Sequence, residues 1–78
     1  MTKYFEVTEY FMNKGLGIEF ECSNENDTEI TQEELSRLDL KPLKAFEGMA
    51  YHNTIKLVCV YKYNSFDEDS DILGYYQG

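Results

Sequence analysis

The chain has 78 residues, with 15 Asp and Glu against 7 Lys and Arg, for a formal charge of −8 at pH 7. A chain this short supports one core burying about 60% of the unfolded surface, so it reads as a single acidic domain over residues 1–78 with no room for a deep cofactor cleft. Its negative field repels phosphates and anionic headgroups, which excludes direct nucleic-acid and membrane-surface binders and makes a basic protein surface the expected partner.

Apolar residues make up 42% of the chain, with seven tyrosines and five phenylalanines, so a folded domain is expected despite a mean hydropathy of −0.54. No basic-then-apolar leader opens the sequence, which turns acidic at Glu6, and a reducing cytoplasmic setting is the expectation.

Residues 3 to 12 are aromatic and β-branched and read as a strand ended by Asn13, Lys14 and Gly15. Residues 16 to 22 alternate, with Leu16, Ile18, Phe20 and Cys22 on one face and Glu19 and Glu21 on the other, as in a strand with one wet side. The two runs form a hairpin. A two- or four-residue loop sets Phe5, Val7 and Phe11 inward, pairs Phe11 with Ile18 and leaves Glu9 as the misfit on the inner face; an odd loop reverses the first strand, and the even loop is favoured because it turns the tyrosines to the outer face.

Residues 23 to 29 read as a polar loop. Thr31 and Glu34 then form a capping box with Ile30 and Leu35 as a hydrophobic staple, so a helix starts there. Leu35 and Leu38 are its apolar stripe, and Pro42 either stops it near Leu40 or opens a second turn carrying Leu43 and Phe46 up to Gly48. Thr54 to Tyr63 is the best strand, expected at the sheet centre, with Ile55, Leu57, Cys59 and Tyr61 on one face and Val58 and Val60 on the other. Residues 64 to 70 read as an acidic loop and 72 to 76 as a last strand. The resulting class is α+β, a small antiparallel sheet in β-β-α-β-β order with one helix or broken helix packed on one face.

No catalytic motif or cofactor-binding sequence is present. Asp67, Asp69 and Asp71 have the spacing of the first EF-hand ligands, but Ile72 replaces the turn glycine and Gly78 the bidentate glutamate, so no metal site is expected. One histidine, His52, and two distant cysteines cannot make a zinc site, and Cys22 and Cys59 read as small buried hydrophobes.

Charge is the informative feature. Between Glu19 and Asp39 stand eight acids against Arg37 alone, and four more occupy the five positions from Asp67 to Asp71, while the lysines fall elsewhere. Strand carboxylates two apart repeat every ~6.7 Å and can imitate a row of phosphates. The expected partner-binding residues are Glu19, Glu21, Glu25, Asp27, Glu29, Glu33, Asp67, Glu68, Asp69 and Asp71. Tyr75 and Tyr76 join them, since tyrosine beside exposed acids is a typical interface mixture.

Residues with AT-rich codons (Asn, Lys, Tyr, Phe, Ile) number 27 against 9 with GC-rich codons (Gly, Ala, Arg, Pro), as in a low-GC bacterium, its plasmids or its phages. In size, charge and lack of catalytic groups the chain resembles the small inhibitors that phages and plasmids direct against host nucleic-acid-binding enzymes, restriction and CRISPR effectors included. The resemblance carries no diagnostic residue. It implies a non-enzymatic inhibitor that blocks or mimics nucleic acid at a basic groove of a host nucleic-acid-binding protein. The alternative is a structural or regulatory module that docks or forms a homodimer through its sheet, using Val58, Val60 and the tyrosines, with charge serving solubility only.

Overall fold

A computed structural model describes residues 2–23 and 26–78. The first strand, β1 (Thr2–Asn13), is long enough to take two partners along one edge. Strand β2 (Ile18–Ser23) pairs with its residues 9 to 13 and β3 (Thr28–Ile30) with its residues 4 to 6. Along the other edge β1 pairs over ten positions with β4 (Ile55–Asn64), and β5 (Asp69–Gln77) lies beyond β4. The order β2-β1-β4-β5 is antiparallel throughout, and β3 continues the edge that β2 begins. The β4 run is interior, as its apolar content on both faces predicts.

The β1–β2 hairpin has a four-residue loop, because Asn13 stands opposite Ile18. Gly15 and Gly17 supply its positive φ values of 94° and 108°, and the Asn13 side-chain oxygen accepts from the Gly15 amide at 2.8 Å. The even loop gives β1 the expected parity. Phe11 is buried, and Phe5 and Val7 share its face, as does Glu9. The pairing itself is displaced by two residues, Phe11 facing Phe20 and not Ile18, and a bulge then sets Cys22 opposite Tyr10. Cys22 is therefore exposed, contrary to the alternation of residues 16 to 22, while Cys59 is buried as expected.

The core lies on the inner face, where Phe11, Leu57, Cys59 and Tyr75 meet Phe46, with Val7, Ile18, Leu43 and Ile55 around them. The Phe11 ring stands edge-on to Tyr75 at 5.7 Å and to Phe20 at 5.8 Å. On the outer face Val60 is fully buried and Val58 nearly so.

Between β3 and β4 the chain wraps the sheet instead of laying a helix on it. Helix α1 (Gln32–Ser36) begins at the predicted capping box, with the Thr31 hydroxyl accepting from the Glu34 amide at 3.1 Å, but it has five residues and buries none of them. This corrects the expectation of a helix packed as a layer. Leu40 then reaches the outer face over Gly74, the partner of Val60. Next, Lys41 exchanges two 2.9 Å backbone hydrogen bonds with Tyr75 at the β5 edge. After Pro42, a 3₁₀ turn at Leu43–Phe46 delivers Phe46 to the inner face. The broken-helix expectation thus survives as two short pieces on either side of a sheet edge. The chain is mostly antiparallel sheet with one short helix and a 3₁₀ turn, and the β-β-α-β-β order holds only roughly because β3 is additional.

Candidate functional site

The inner face is covered at one end only. Leu43 and Phe46 pack on the end where β4 begins, around Phe11 and Leu57. Toward the β4–β5 turn the same face stays open as a concave groove of about 370 Å³, lined by Val7, Glu9, Cys59, Tyr61, Ser70 and Ile72. Beside it Phe5 stacks on Tyr61, its direct partner across β1 and β4, with ring centroids 5.7 Å apart and planes at 23°. Tyr63 closes edge-on against Phe5 at 6.5 Å. Alternation explains the strip: Phe5 and Val7 on β1 and Cys59, Tyr61 and Tyr63 on β4 all face the same way.

Two carboxylates enter this apolar surface. Glu9 lies on the groove floor beside Cys59, whose thiol is pushed up to about 12 first by burial and then by the Glu9 charge and hydrogen bond. Asp27 accepts the Tyr61 hydroxyl, and burial followed by that hydrogen bond pushes the Tyr61 phenol up to about 12. Among the described residues no Lys or Arg forms an ion pair with Glu9 or Asp27; Lys3, on the same face, is 4.0 Å from Glu29. Burial likewise pushes Tyr75 and Tyr76 up to about 12, assisted at Tyr75 by the neighbouring Cys59 and Glu9 and at Tyr76 by its hydrogen bond to Glu6 and then by the Glu6 charge. Such groups are ordinarily protonated at neutral pH, and these shifts extend the neutral forms of the Cys59 thiol and the three phenols well into alkaline solution. Cys59 is in consequence a poor nucleophile.

The expected partner-binding residues scatter over the molecule. Glu19 and Glu21 straddle Lys14, at 3.8 and 2.9 Å, and the Glu21 hydrogen bond and charge raise the Lys14 pKa. Glu33 is held by Arg37 at 3.0 Å. Glu29 faces Phe5 from β3, Asp27 precedes that strand, and Glu25 lies outside the described residues. Asp67 and Glu68 form the β4–β5 turn, with Glu68 at φ 55°, and Asp69 and Asp71 open β5 opposite Asn64 and Lys62. The sign segregation seen in the sequence is therefore reduced in space, because Lys3, Lys14, Arg37 and Lys41 all fold onto acids.

Tyr75 and Tyr76 do not flank the acidic turn. They pair with Cys59 and Val58, far along β4 from it. Tyr75 is a core residue, 9% exposed against Phe11, and Tyr76 donates to Glu6 at 2.6 Å. Val58 and Val60, the expected docking surface of the alternative reading, are buried too. Sequence reasoning placed Glu9 on the inner face but gave it no role, and did not foresee the groove around it. Its signal was there: one carboxylate in a row of inward apolar positions.

Among the described residues no three His, Cys, Asp or Glu side chains converge in a way that could hold a metal ion, and no helix is long and apolar enough to cross a membrane. His52 sits in an exposed turn at φ 61° against the Tyr51 ring. No protein-family model matches the chain, and no curated protein and no solved structure matches it either.

Across the open end of the sheet the cross-strand row runs Glu29, Phe5, Tyr61, Ile72, and the next row runs Ile30, Tyr4, Lys62, Asp71. Acids thus stand at both edges of a four-strand width but on opposite faces: Asp27 and Glu29 lie on the inner face with Phe5 and Tyr61, whereas Asp69 and Asp71, opposite Asn64 and Lys62, turn to the outer face. Three inter-strand steps of ~4.8 Å separate those edges by about 14 Å.

Proposed function

We propose that this is a small non-enzymatic binding protein that occupies the basic groove of a nucleic-acid-binding protein, in the manner of a phage or plasmid inhibitor of restriction or CRISPR enzymes. The observation that carries the reading is the concentration of acids at the open end of the sheet, with Asp27 and Glu29 beside the aromatic strip and Asp67, Glu68, Asp69 and Asp71 at the β4–β5 turn. The β5-side acids Asp67, Glu68, Asp69 and Asp71 carry no ion pair among the described residues, so their charge is available to a partner. Glu19, Glu21 and Glu33, already paired, contribute less. The host cytoplasm is the setting this reading implies.

Capture from a low-GC bacterial lysate at low and at physiological salt, identification by mass spectrometry and challenge with duplex DNA tests the reading. The expected result is a basic nucleic-acid-binding protein that is held at low salt and displaced by the duplex. A captured protein that duplex DNA leaves in place, or capture of none at either salt, overturns it. The alternative of docking through the sheet keeps the partly exposed tyrosines but has less support from Val58 and Val60, which are buried, and light scattering that gives a stable dimer at micromolar concentration would favour it.

A further inference from the structure

The open groove has a chemistry of its own, distinct from that of the charged edges. Its walls are mostly apolar, Val7, Ile72 and the Tyr61 ring with Ser70 at one side, and Phe5 backs Tyr61 from outside the groove. Its floor holds the Glu9 carboxylate, and Asp27 stands at the Tyr61 hydroxyl on the same side. Glu9 is half-buried there beside the Cys59 thiol, and among the described residues no Lys or Arg pairs with it, so a cation entering the groove meets an uncompensated carboxylate.

We infer that the groove receives a single arginine side chain of the partner. The apolar walls take the aliphatic stem, while the guanidinium stacks on the groove side of the Tyr61 ring, which Phe5 supports from behind, and forks onto Glu9. Arginine is favoured over lysine because its planar, weakly hydrated head both stacks and bonds in two directions, whereas an ammonium must shed tightly held water to enter an apolar slot. The charge complementarity is local: two carboxylates, no cation paired to either among the described residues, and an aromatic face beside them. The inference rests on the proposed basic partner and names the side chain that partner inserts into the inner face, on the side where Asp27 and Glu29 lie.

Titration of the isotope-labelled protein with N-acetyl-arginine amide, followed by NMR, tests it. N-acetyl-lysine amide and the neutral isostere N-acetyl-citrulline amide serve as comparisons. Saturable shifts are expected at Val7, Cys59 and Ile72 with the arginine compound, weaker ones with lysine and none with citrulline. Glu9→Gln should lower the arginine affinity about tenfold, and Asp39→Asn, on the exposed segment beside Lys41 and away from the groove, should leave it unchanged. Equal shifts from citrulline, or shifts confined to residues 67 to 71, overturn the inference using the unmodified protein alone. If a captured partner is displaced by DNA but binds Glu9→Gln as tightly as the parent, the groove inference fails and the acidic-edge reading stands. Arginine filling the groove while every captured protein resists DNA displacement gives the reverse.

Discussion

The hydroxyl of Tyr76 on β5 donates to the Glu6 carboxylate on β1 at 2.6 Å, although a whole strand, β4, lies between them. Tyr76 faces Val58 and Glu6 faces Val60, so the tyrosine must lie diagonally over the two valines to make this bond. That is how an outer face with no helix layer still keeps Val60 dry. Tyr76→Phe retains the ring and removes only the donor, leaving a half-buried carboxylate without its partner. A loss of about 1–2 kcal/mol in urea-unfolding stability is expected, with Glu6→Gln restoring part of it.

Gly74 is the residue at which the wrapping segment comes closest to the sheet. A methyl group there would stand 2.8 Å from Leu40 Cβ, and the backbone φ of 157° also favours glycine. Because the colliding atom is attached directly to the main chain, relief requires lifting the segment that carries Lys41 off the β5 edge. Gly74→Ala is expected to cost about 1–3 kcal/mol, and amide exchange at Lys41 and Tyr75 should speed up with it.

Cys59, Tyr61 and Tyr76 share a direction: folding lifts each from an ordinary value of 9.0 or 10.0 to about 12. Each group favours the neutral form in the folded protein, so its contribution is complete below the unfolded-state value. As pH rises past 9 the unfolded chain ionises first, and stability falls until the folded-state values near 12 are passed. Urea midpoints should be flat from pH 7 to about 9 and decline above it. Tyr76→Phe should make that decline shallower.

The two thiols differ in access. Cys22 is turned out by the bulge beside Tyr10, whereas Cys59 is 3% exposed and its pKa is raised. An aromatic disulfide reagent at pH 8 is expected to label one thiol quickly, and mass spectrometry should place the label on Cys22. Cys59 should react only after urea is added.

Neutralising the β4–β5 turn tests electrostatic steering. Asp67, Asp69 and Asp71 become Asn, and Glu68 becomes Asn also, which tolerates its positive φ of 55°. The association rate with a captured partner should fall by about tenfold or more at low salt and lose most of its salt dependence, with stability unchanged. An unchanged rate removes this turn from the contact.

What the sequence made legible was what local chemistry decides. Thr31 and Glu34 carry their cap in their spacing, the 54 to 63 run shows a two-faced interior strand by alternation, and the even loop after Asn13 sets Glu9 inward. What stayed hidden depends on distant partners. Thr28–Ile30 is too short and too acidic to announce itself, and becomes a strand only because β1 extends past the end of β2. The bulge that exposes Cys22 and the burial of Tyr75 against Phe11 arise from packing, which alternation does not encode. Linear charge segregation misled for a similar reason: Lys14 lies outside the acidic run in sequence, yet the hairpin loop sets it between Glu19 and Glu21.

The pairing of β1 with β4 also has a consequence in time. Every position of that ladder joins strands separated in sequence by β2, β3 and α1, so a large loop must close before the central contacts form. The β1–β2 and β4–β5 hairpins can form early and alone. The apolar face of β1 finds its permanent neighbour only once β4 is available, so refolding should be slow for a chain of this length, with the joining of the two hairpins as its barrier.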